Sequence, residues 1–288
     1  ANKKKINFIK LKKNEGKKKA IARAVGCSKG KYIVFTDSDS VLEPGAVQKL
    51  VTVVRSDNDI GAVNGHVRAL NADKNILTKI QDTWYEGQFS IRKAFESAYG
   101  AVTCVSGPIA LFRREAIFNY IPAWINDSFL RQEFKFSTDR SLTNLVLSSA
   151  YIGDKLKQKH KKSRFVRKEK YSSRNWDVVY TRSALAWTIV PDTFKKLLRQ
   201  QVRWKKSFLR SVFLTGRYYY RRPIQVAMVY YLHIVFVALA PVVAFRHLVY
   251  LPISHSPLSA VFYLAGIFYI GLLFGVCYRM TDKKKNYR

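Results

Sequence analysis

Two aspartates one residue apart, Asp37 and Asp39, follow four apolar residues, Tyr32-Ile-Val-Phe35. The apolar run reads as a short strand buried on both faces. In open α/β sheets, ligands bind beyond the carboxyl ends of such strands. Asp-x-Asp at that point supplies hard oxygens close together, as a divalent cation holding a diphosphate requires. A solvated acidic turn explains the same two residues, so the pair alone decides nothing. Lys17 lies in the first turn of a helix read from Asn14 to Val25, with Asn14 as its cap. A lysine at a helix N-terminus suits an anion, and suits water equally well. Asp139 sits in the first turn of another helical stretch that begins at Ser137 or Thr138 and runs to Leu147. With no other role, a carboxylate there would stabilise the helix dipole by up to about 1 kcal/mol.

The elements that must hold these residues follow from periodicity. Residues 6–11, 60–67, 101–105, 109–112 and 178–190 read as strands. Pro44 and Gly45 open a helix over Ala46 to Val54, with Pro44 as a first helical residue. Asn75 to Ser97 is a long helical pattern whose aromatics, Trp84, Tyr85, Phe89 and Phe95, are most simply core. Ser106-Gly-Pro108 breaks the chain between two extended segments. Strands alternating with helices predict an α/β sheet.

Charge narrows the partners. With 51 Lys and Arg against 19 Asp and Glu, the formal net charge is +32. That fits nucleic acid, an anionic membrane surface or a polyphosphate-bearing substrate. A quarter of it lies in residues 155–170, read as a solvated surface loop against anionic lipid. Three cysteines without Cys-x-x-Cys spacing exclude a disulfide framework and argue against structural zinc.

The last third argues for a membrane. Phe194 to Phe213 reads as an amphipathic helix, with Phe194, Leu197, Leu198, Val202, Phe208, Leu209 and Val212 on one face. Gln200, Arg203, Trp204 and Ser207 form a second stripe at i, i+3, i+4 and i+7. Such a helix suits a bilayer interface or an ordinary packed surface. Ile224 to Phe245 and Leu258 to Tyr278 are each long and apolar enough to cross a bilayer. Basic residues flank the outer ends of the pair, and the intervening loop holds only Arg246. The positive-inside rule then puts both ends, and the α/β part, in the cytoplasm. A multi-pass protein of the cell membrane is expected, with no nucleic-acid partner.

Taken in order, the motifs have a familiar look. Lys17 in Asn-x-Gly-Lys, Asp37-Ser-Asp39, Cys104-Val-Ser-Gly-Pro108, Asp139-Arg-Ser-Leu-Thr-Asn144 and Gln200-Gln-Val-Arg-Trp-Lys-Lys-Ser-Phe208 precede apolar spans. The chain resembles, over most of residues 5–288, the processive, inverting membrane glycosyltransferases of family 2. It most resembles hyaluronan synthases and, beyond them, chitin and cellulose synthases. The resemblance implies a GT-A-type nucleotide-sugar-binding domain over residues 1–192, a mixed sheet flanked by helices with its first nucleotide-binding strand missing. It implies an interfacial helix over 193–222 and a transmembrane helical hairpin with a basic tail over 223–288.

It also implies roles. Asp139 matches the general base for the acceptor hydroxyl. Asp37 and Asp39 match the nucleotide and metal pair, with Asp39 the direct ligand of Mg²⁺ or Mn²⁺. Lys17 would lie near the nucleotide, Gln200 would contact the donor, and Arg203 would clamp the diphosphate. Trp204 would stack under the acceptor sugar. Cys104, Ser106, Gly107, Pro108 and Arg140 would line the acceptor end, although Cys104 also suits a buried apolar position. The donors implied are UDP-sugars, UDP-N-acetylglucosamine with or without UDP-glucuronate. The product implied is an extracellular, hyaluronan-like polysaccharide secreted across the membrane, and the acceptor is the growing chain, in contact with membrane lipids.

Three departures qualify the resemblance. Thr138 stands where hyaluronan synthases usually carry another acid. The basic segment 155–176 looks like an insertion. The family's first strand, N-terminal spans, gating loop and final spans have no counterpart, so the sequence reads as truncated at both ends, with poor activity expected of this stretch by itself. Two other functions compete. One is an N-acetylglucosamine polymer synthase or a non-processive, lipid-directed transferase. The other is a basic membrane-attached binding module without catalysis.

Overall fold

A computed structural model describes residues 7–134, 138–167 and 170–281. The chain opens with α1 (Lys17–Cys27), β1 (Tyr32–Phe35), β2 (Ser40–Leu42), α2 (Ala46–Ser56) and β3 (Ile60–Ala69). Next come α3 (Ile76–Gly87), a π-helical turn (Gln88–Lys93), α4 (Ala94–Ala98) and β4 (Ala110–Arg113). Two short helices, α5 (Arg114–Ile117) and α6 (Ile121–Ile125), lead to a hairpin of β5 (Ser128–Phe129) and β6 (Gln132–Glu133). Then follow α7 (Thr138–Leu147), α8 (Ser149–Lys159) and β7 (Asp177–Thr188). The last third is helical: α9 (Phe194–Thr215), α10 (Ile224–Phe245), α11 (Leu251–Ser254) and α12 (Leu258–Thr281).

Five strands form a mixed sheet in the order β1-β4-β3-β7-β2. Only β3 and β7 run parallel; the other pairs are antiparallel. β3 is buried along nearly its whole length, as expected of a central strand. Its register with β7 slips between Asn64 and His66. Gly65 fits there because a Cβ would lie 2.6 Å from the carbonyl of Ala184 and 2.8 Å from Ile109. Apolar side chains of alternate sheet positions fill two cores. One holds Ile33, Phe112, Trp124, Leu142 and Trp176; the other holds Leu50, Val54, Val63, Leu111 and Ala186.

Several local expectations are corrected. Residues 7–11 form no strand: Phe8 is exposed and the segment pairs with nothing described. β1 is only partly buried, because β4 is its one described neighbour in the sheet. α1 starts at Lys17, not Asn14, because Gly16 has a φ of 84° and its N–H donates to the Asn14 side chain. Gly45, at φ 81°, caps α2, so Pro44 lies outside that helix. The segment 102–105, buried except at half-buried Cys104, is not a strand, and only Ala101 bridges to Val178. Side chains satisfy its backbone instead: Thr103 N–H donates to Glu96, Val105 N–H to Thr143 and Ser106 N–H to Asn64. The basic run begins as helix, because Lys155, Lys157 and Lys159 belong to α8, and Lys157 is buried. Ser137, one of two caps foreseen for α7, lies outside the described residues, as do Lys168 and the start of the strand read over 6–11.

α9 turns its small polar face, Ser207, Ser211 and Thr215, toward the body together with Phe208. Phe194, Leu198, Val202, Leu209 and Phe213 face outward and are exposed. The first turns of α10 pack on the sheet domain through Val226, Ala227 and Tyr230. Among the described residues one helical stretch, Ile224–Ser254, is long and apolar enough to cross a membrane. The apolar part of the returning helix runs over Leu258–Leu273.

Candidate active site

β1 delivers its carboxyl end to a cavity of about 220 Å³ lined by Lys17, Thr36, Asp37, Gly107, Trp124, Thr138 and Asp139. Three segments meet there. Ser40 N–H donates to the carbonyl of Asp37 and closes the turn that carries the two aspartates. The Thr36 hydroxyl donates to the carbonyl of Pro108 at 3.0 Å, which ties this turn to the 104–108 loop. The indole N–H of Trp124 donates to the carbonyl of Thr138 at 2.9 Å and fixes the start of α7.

The charged groups converge at Gly107. Its N–H donates to Asp139 Oδ2 at 3.0 Å. A Cβ at this residue would lie 2.6 Å from Asp37 Oδ2 and 2.9 Å from Asp139 Oδ2. Only glycine lets both carboxylates approach so closely. The Lys17 ammonium stands 2.5 Å from Asp37 Oδ1 and 4.0 Å from Asp139 Oδ1. Burial would lower its pKa, but Asp139, Asp37 and Asp39 outweigh that and raise it. Thr138 donates its hydroxyl to Asp139 Oδ1 at 2.8 Å. Lys17, Asp37 and Asp139 thus form one cluster of opposite charges, with each Asp139 oxygen accepting one hydrogen bond and keeping room for another.

Asp39 lies further along the turn, exposed, and accepts from the Thr188 hydroxyl at 3.4 Å. Burial raises the Tyr85 phenol's pKa and the Asp39 charge adds to it. Tyr85 in turn leans on Trp204 with ring centres 6.5 Å apart, and Trp204 stacks on Trp84 at 5.8 Å and 21°. Gln200 and Arg203 do not line the first cavity. They line a second cleft with Asn71, Lys74, Pro191 and Asp192, whose wall includes Ile189, the residue after Thr188. Arg140 leaves the carboxylates and lies 5.9 Å over the Phe208 ring.

Sequence reasoning missed Lys93 and Asn64. Lys93 ends the π-helical turn and is half-buried, with its ammonium behind the 104–108 loop. Its ammonium donates to Asn64 Oδ1 at 2.5 Å, the Cys104 carbonyl at 2.9 Å and the Ser106 hydroxyl at 2.6 Å. The same ammonium covers the Phe89 ring at 4.2 Å. Cys104, Ser106 and Pro108 are half-buried and joined through this lysine and Thr36.

The chitin synthase family model matches residues 16–253. The chain belongs to that family of glycosyltransferases. An N-acetylglucosaminyltransferase of Rhizobium meliloti (strain 1021) is 34% identical over 209 residues, 73% of this chain and 43% of the relative. Hyaluronan synthase 2 of Xenopus laevis is 31% identical over 193 residues, 67% of this chain and 30% of the relative. The chain therefore spans less than half the length of these curated relatives. Among solved structures, a mannosyltransferase of Pyrobaculum calidifontis in complex with GDP-Man and Mn²⁺ aligns with a TM-score of 0.46 and 15% identity, over 72% of this chain and 46% of that one.

Proposed function

We propose that this chain carries the catalytic centre of an inverting, processive glycosyltransferase that extends a polysaccharide from UDP-N-acetylglucosamine. The observation that carries the reading is the meeting of Asp37 and Asp139 at Gly107 beside Lys17. In this reading residues 1–192 form a cytoplasmic GT-A-type domain, 193–222 an interfacial helix and 223–288 a membrane hairpin.

Asp139 takes the proton of the acceptor hydroxyl as that oxygen forms its bond to the anomeric carbon. The bond from that carbon to the diphosphate breaks, and UDP leaves with the electron pair. Attack opposite the leaving group inverts the anomeric centre. The Gly107 N–H and the Thr138 hydroxyl hold the Asp139 carboxylate in one orientation before the acceptor arrives. Lys17 offsets the repulsion between the two carboxylates.

Asp37 and Asp39 fit a Mg²⁺ or Mn²⁺ ion by chemistry, being hard oxygen donors one residue apart, with Asp37 in the cavity lining. Among the described residues no group of three or more His, Cys, Asp or Glu forms a cage by itself, so diphosphate oxygens would complete the ligand set. Such an ion, when bound, would neutralise the charge developing on the leaving UDP. Arg203 and Gln200, in the second cleft, are assigned to the diphosphate. Trp204, supported by Trp84 and Tyr85, is assigned to the acceptor sugar. The 104–108 loop is assigned to the acceptor end.

The outward apolar face of α9 and the exposed length of the Ile224–Ser254 stretch support a membrane-bound position. A second reading, a hyaluronan-like heteropolymer that also uses UDP-glucuronate, is favoured by the similarity to hyaluronan synthase 2. One experiment separates the two. The full-length protein in membranes is offered one labelled UDP-sugar, then pairs. Long product from UDP-N-acetylglucosamine supports the homopolymer. A strict need for two donors supports the heteropolymer. Short, lipid-extracted product contradicts processivity.

A further inference from the structure

We infer that Lys93 is a positioning residue that sets the orientation of the base Asp139 through the 104–108 loop. The inference rests on the reading of Asp139 as general base. The path is short and continuous. The Lys93 ammonium binds Asn64 Oδ1, the Cys104 carbonyl and the Ser106 hydroxyl, using all three of its protons. Asn64 Oδ1 also accepts the Ser106 N–H at 2.8 Å, so lysine and strand grip the same residue from two sides. The next residue, Gly107, donates its N–H to Asp139.

Local structure explains how the lysine gets there. A regular helix through residues 88–93 would leave the phase of α3 unchanged. The π-helical turn adds a residue and swings Lys93 under the loop, as such turns often do at functional sites. Asn64, at the register slip of β3 beside Gly65, presents its Oδ1 to the same spot. Backbone groups that a strand over 101–105 would have satisfied are met by this cation and by Glu96 and Thr143. A buried ammonium is costly unless fully hydrogen-bonded. The acceptors that meet this cost are Asn64 and the 104–108 loop, so the charge and the loop hold one another.

Burial pushes the Lys93 ammonium down, to about 8, against the opposing charges of Cys104, Glu96 and Asp139 and with the help of Arg140. These are the titratable and charged groups that face it: Glu96 from α4, Cys104 from the loop, and Asp139 and Arg140 from α7. A neutral amine has two protons for three acceptors, so the loop loses one tie as the lysine deprotonates.

The test is a pH–rate profile of the full-length protein in membranes, with UDP-N-acetylglucosamine, at saturating donor. The wild type shows kcat falling above about pH 8 with little change in KM, and the same limb persists in Cys104→Ala whatever its rate. Lys93→Arg keeps its charge, so the limb disappears. Lys93→Met loses roughly 10- to 100-fold in kcat across the range. Folding behaves in the opposite sense. The folded lysine releases its proton near pH 8 and the unfolded one near 10.5, so the unfolded state binds more protons between them and stability rises with pH as the rate falls. An alkaline limb unchanged in Lys93→Arg, no limb in the wild type, or a wild-type rate in Lys93→Met overturns the inference. Asp139→Asn runs alongside: full rate there sinks the reading of the base itself, whereas its loss beside an unaffected Lys93→Met sinks only the lysine's role.

Discussion

Asp37 and Asp139 face one another across Gly107, each with a carboxylate oxygen within 3 Å of where a Cβ would stand. One comes from the end of β1 and the other from the first turn of α7. The site exists because a glycine leaves the space between them open. Gly107→Ala fills that space. A loss of at least about 100-fold in UDP release is expected, because one methyl displaces both acids. Thermal unfolding should change little, since the strain is relieved into the cavity. Loss of fold together with loss of rate would argue that Gly107 is structural.

Lys17 holds two negative charges together. Lys17→Met removes the cation that stands between Asp37 and Asp139. The whole pH–rate profile should therefore lie roughly 10- to 100-fold lower. Lys17→Arg should leave it close to the wild-type position. The Lys17 ammonium itself, with its pKa raised by Asp139, Asp37 and Asp39, keeps its charge throughout the range of such an assay. A Lys17→Met profile superimposable on the wild type would remove the lysine from the electrostatics of the site.

A buried network away from the cavity should set acid stability. His66 contacts Glu86 at 2.9 Å and Tyr180 at 2.7 Å, and Arg182 reaches the other Glu86 oxygen at 2.8 Å. Burial alone would raise the Glu86 pKa, but hydrogen bonds from His66 and Ser90 and the charges of His66 and Arg182 outweigh it, down to about 2. A carboxylate depressed in the folded state contributes stability above its unfolded pKa. That contribution, of order 3 kcal/mol, is present above about pH 4.5 and lost as pH falls toward 2. Glu86→Gln should be less stable at pH 7 and lose this pH dependence in detergent melting curves. Equal slopes for the two proteins between pH 5 and 3 would contradict it.

The stacked indoles make a separable prediction. Trp84 and Trp204 are both partly exposed, and each supports the other's plane. Trp84→Ala should let Trp204 turn and weaken acceptor stacking, worth about 1 kcal/mol. Product chains should shorten, while the KM for UDP-N-acetylglucosamine stays near the wild-type value. A raised donor KM with unchanged chain length would place the pair on the donor side.

How much of this was legible depends on distance along the chain. Periodicity found α2, α7, α9 and β3 because burial repeats every few residues. It misread 101–105 as a strand because buried apolar residues look alike whether their backbone is met by a strand or by side chains such as Glu96, Thr143 and Asn64. It misread 7–11 because an apolar alternation is a strand only when something pairs with it. The motifs named Lys17, Asp37, Gly107 and Asp139, which do converge. Spacing on α9 linked Gln200, Arg203 and Trp204, but a helix stripe spreads over several turns. Arg203 therefore meets the cleft beside Asp192 while Trp204 meets Trp84. Lys93 escaped because a π-helical turn changes which face a residue occupies, and nothing in residue type announces it.

The measurement that bears most directly on the central claim pairs turnover with binding in Asp139→Asn. The full-length protein in membranes is assayed for polymer from UDP-N-acetylglucosamine and for UDP binding with Mg²⁺ or Mn²⁺. The account predicts polymer synthesis lowered by about 10²- to 10⁴-fold with UDP binding unchanged, as expected for loss of a general base. Asp39→Asn should instead weaken UDP binding. Undiminished polymer from Asp139→Asn would contradict the account.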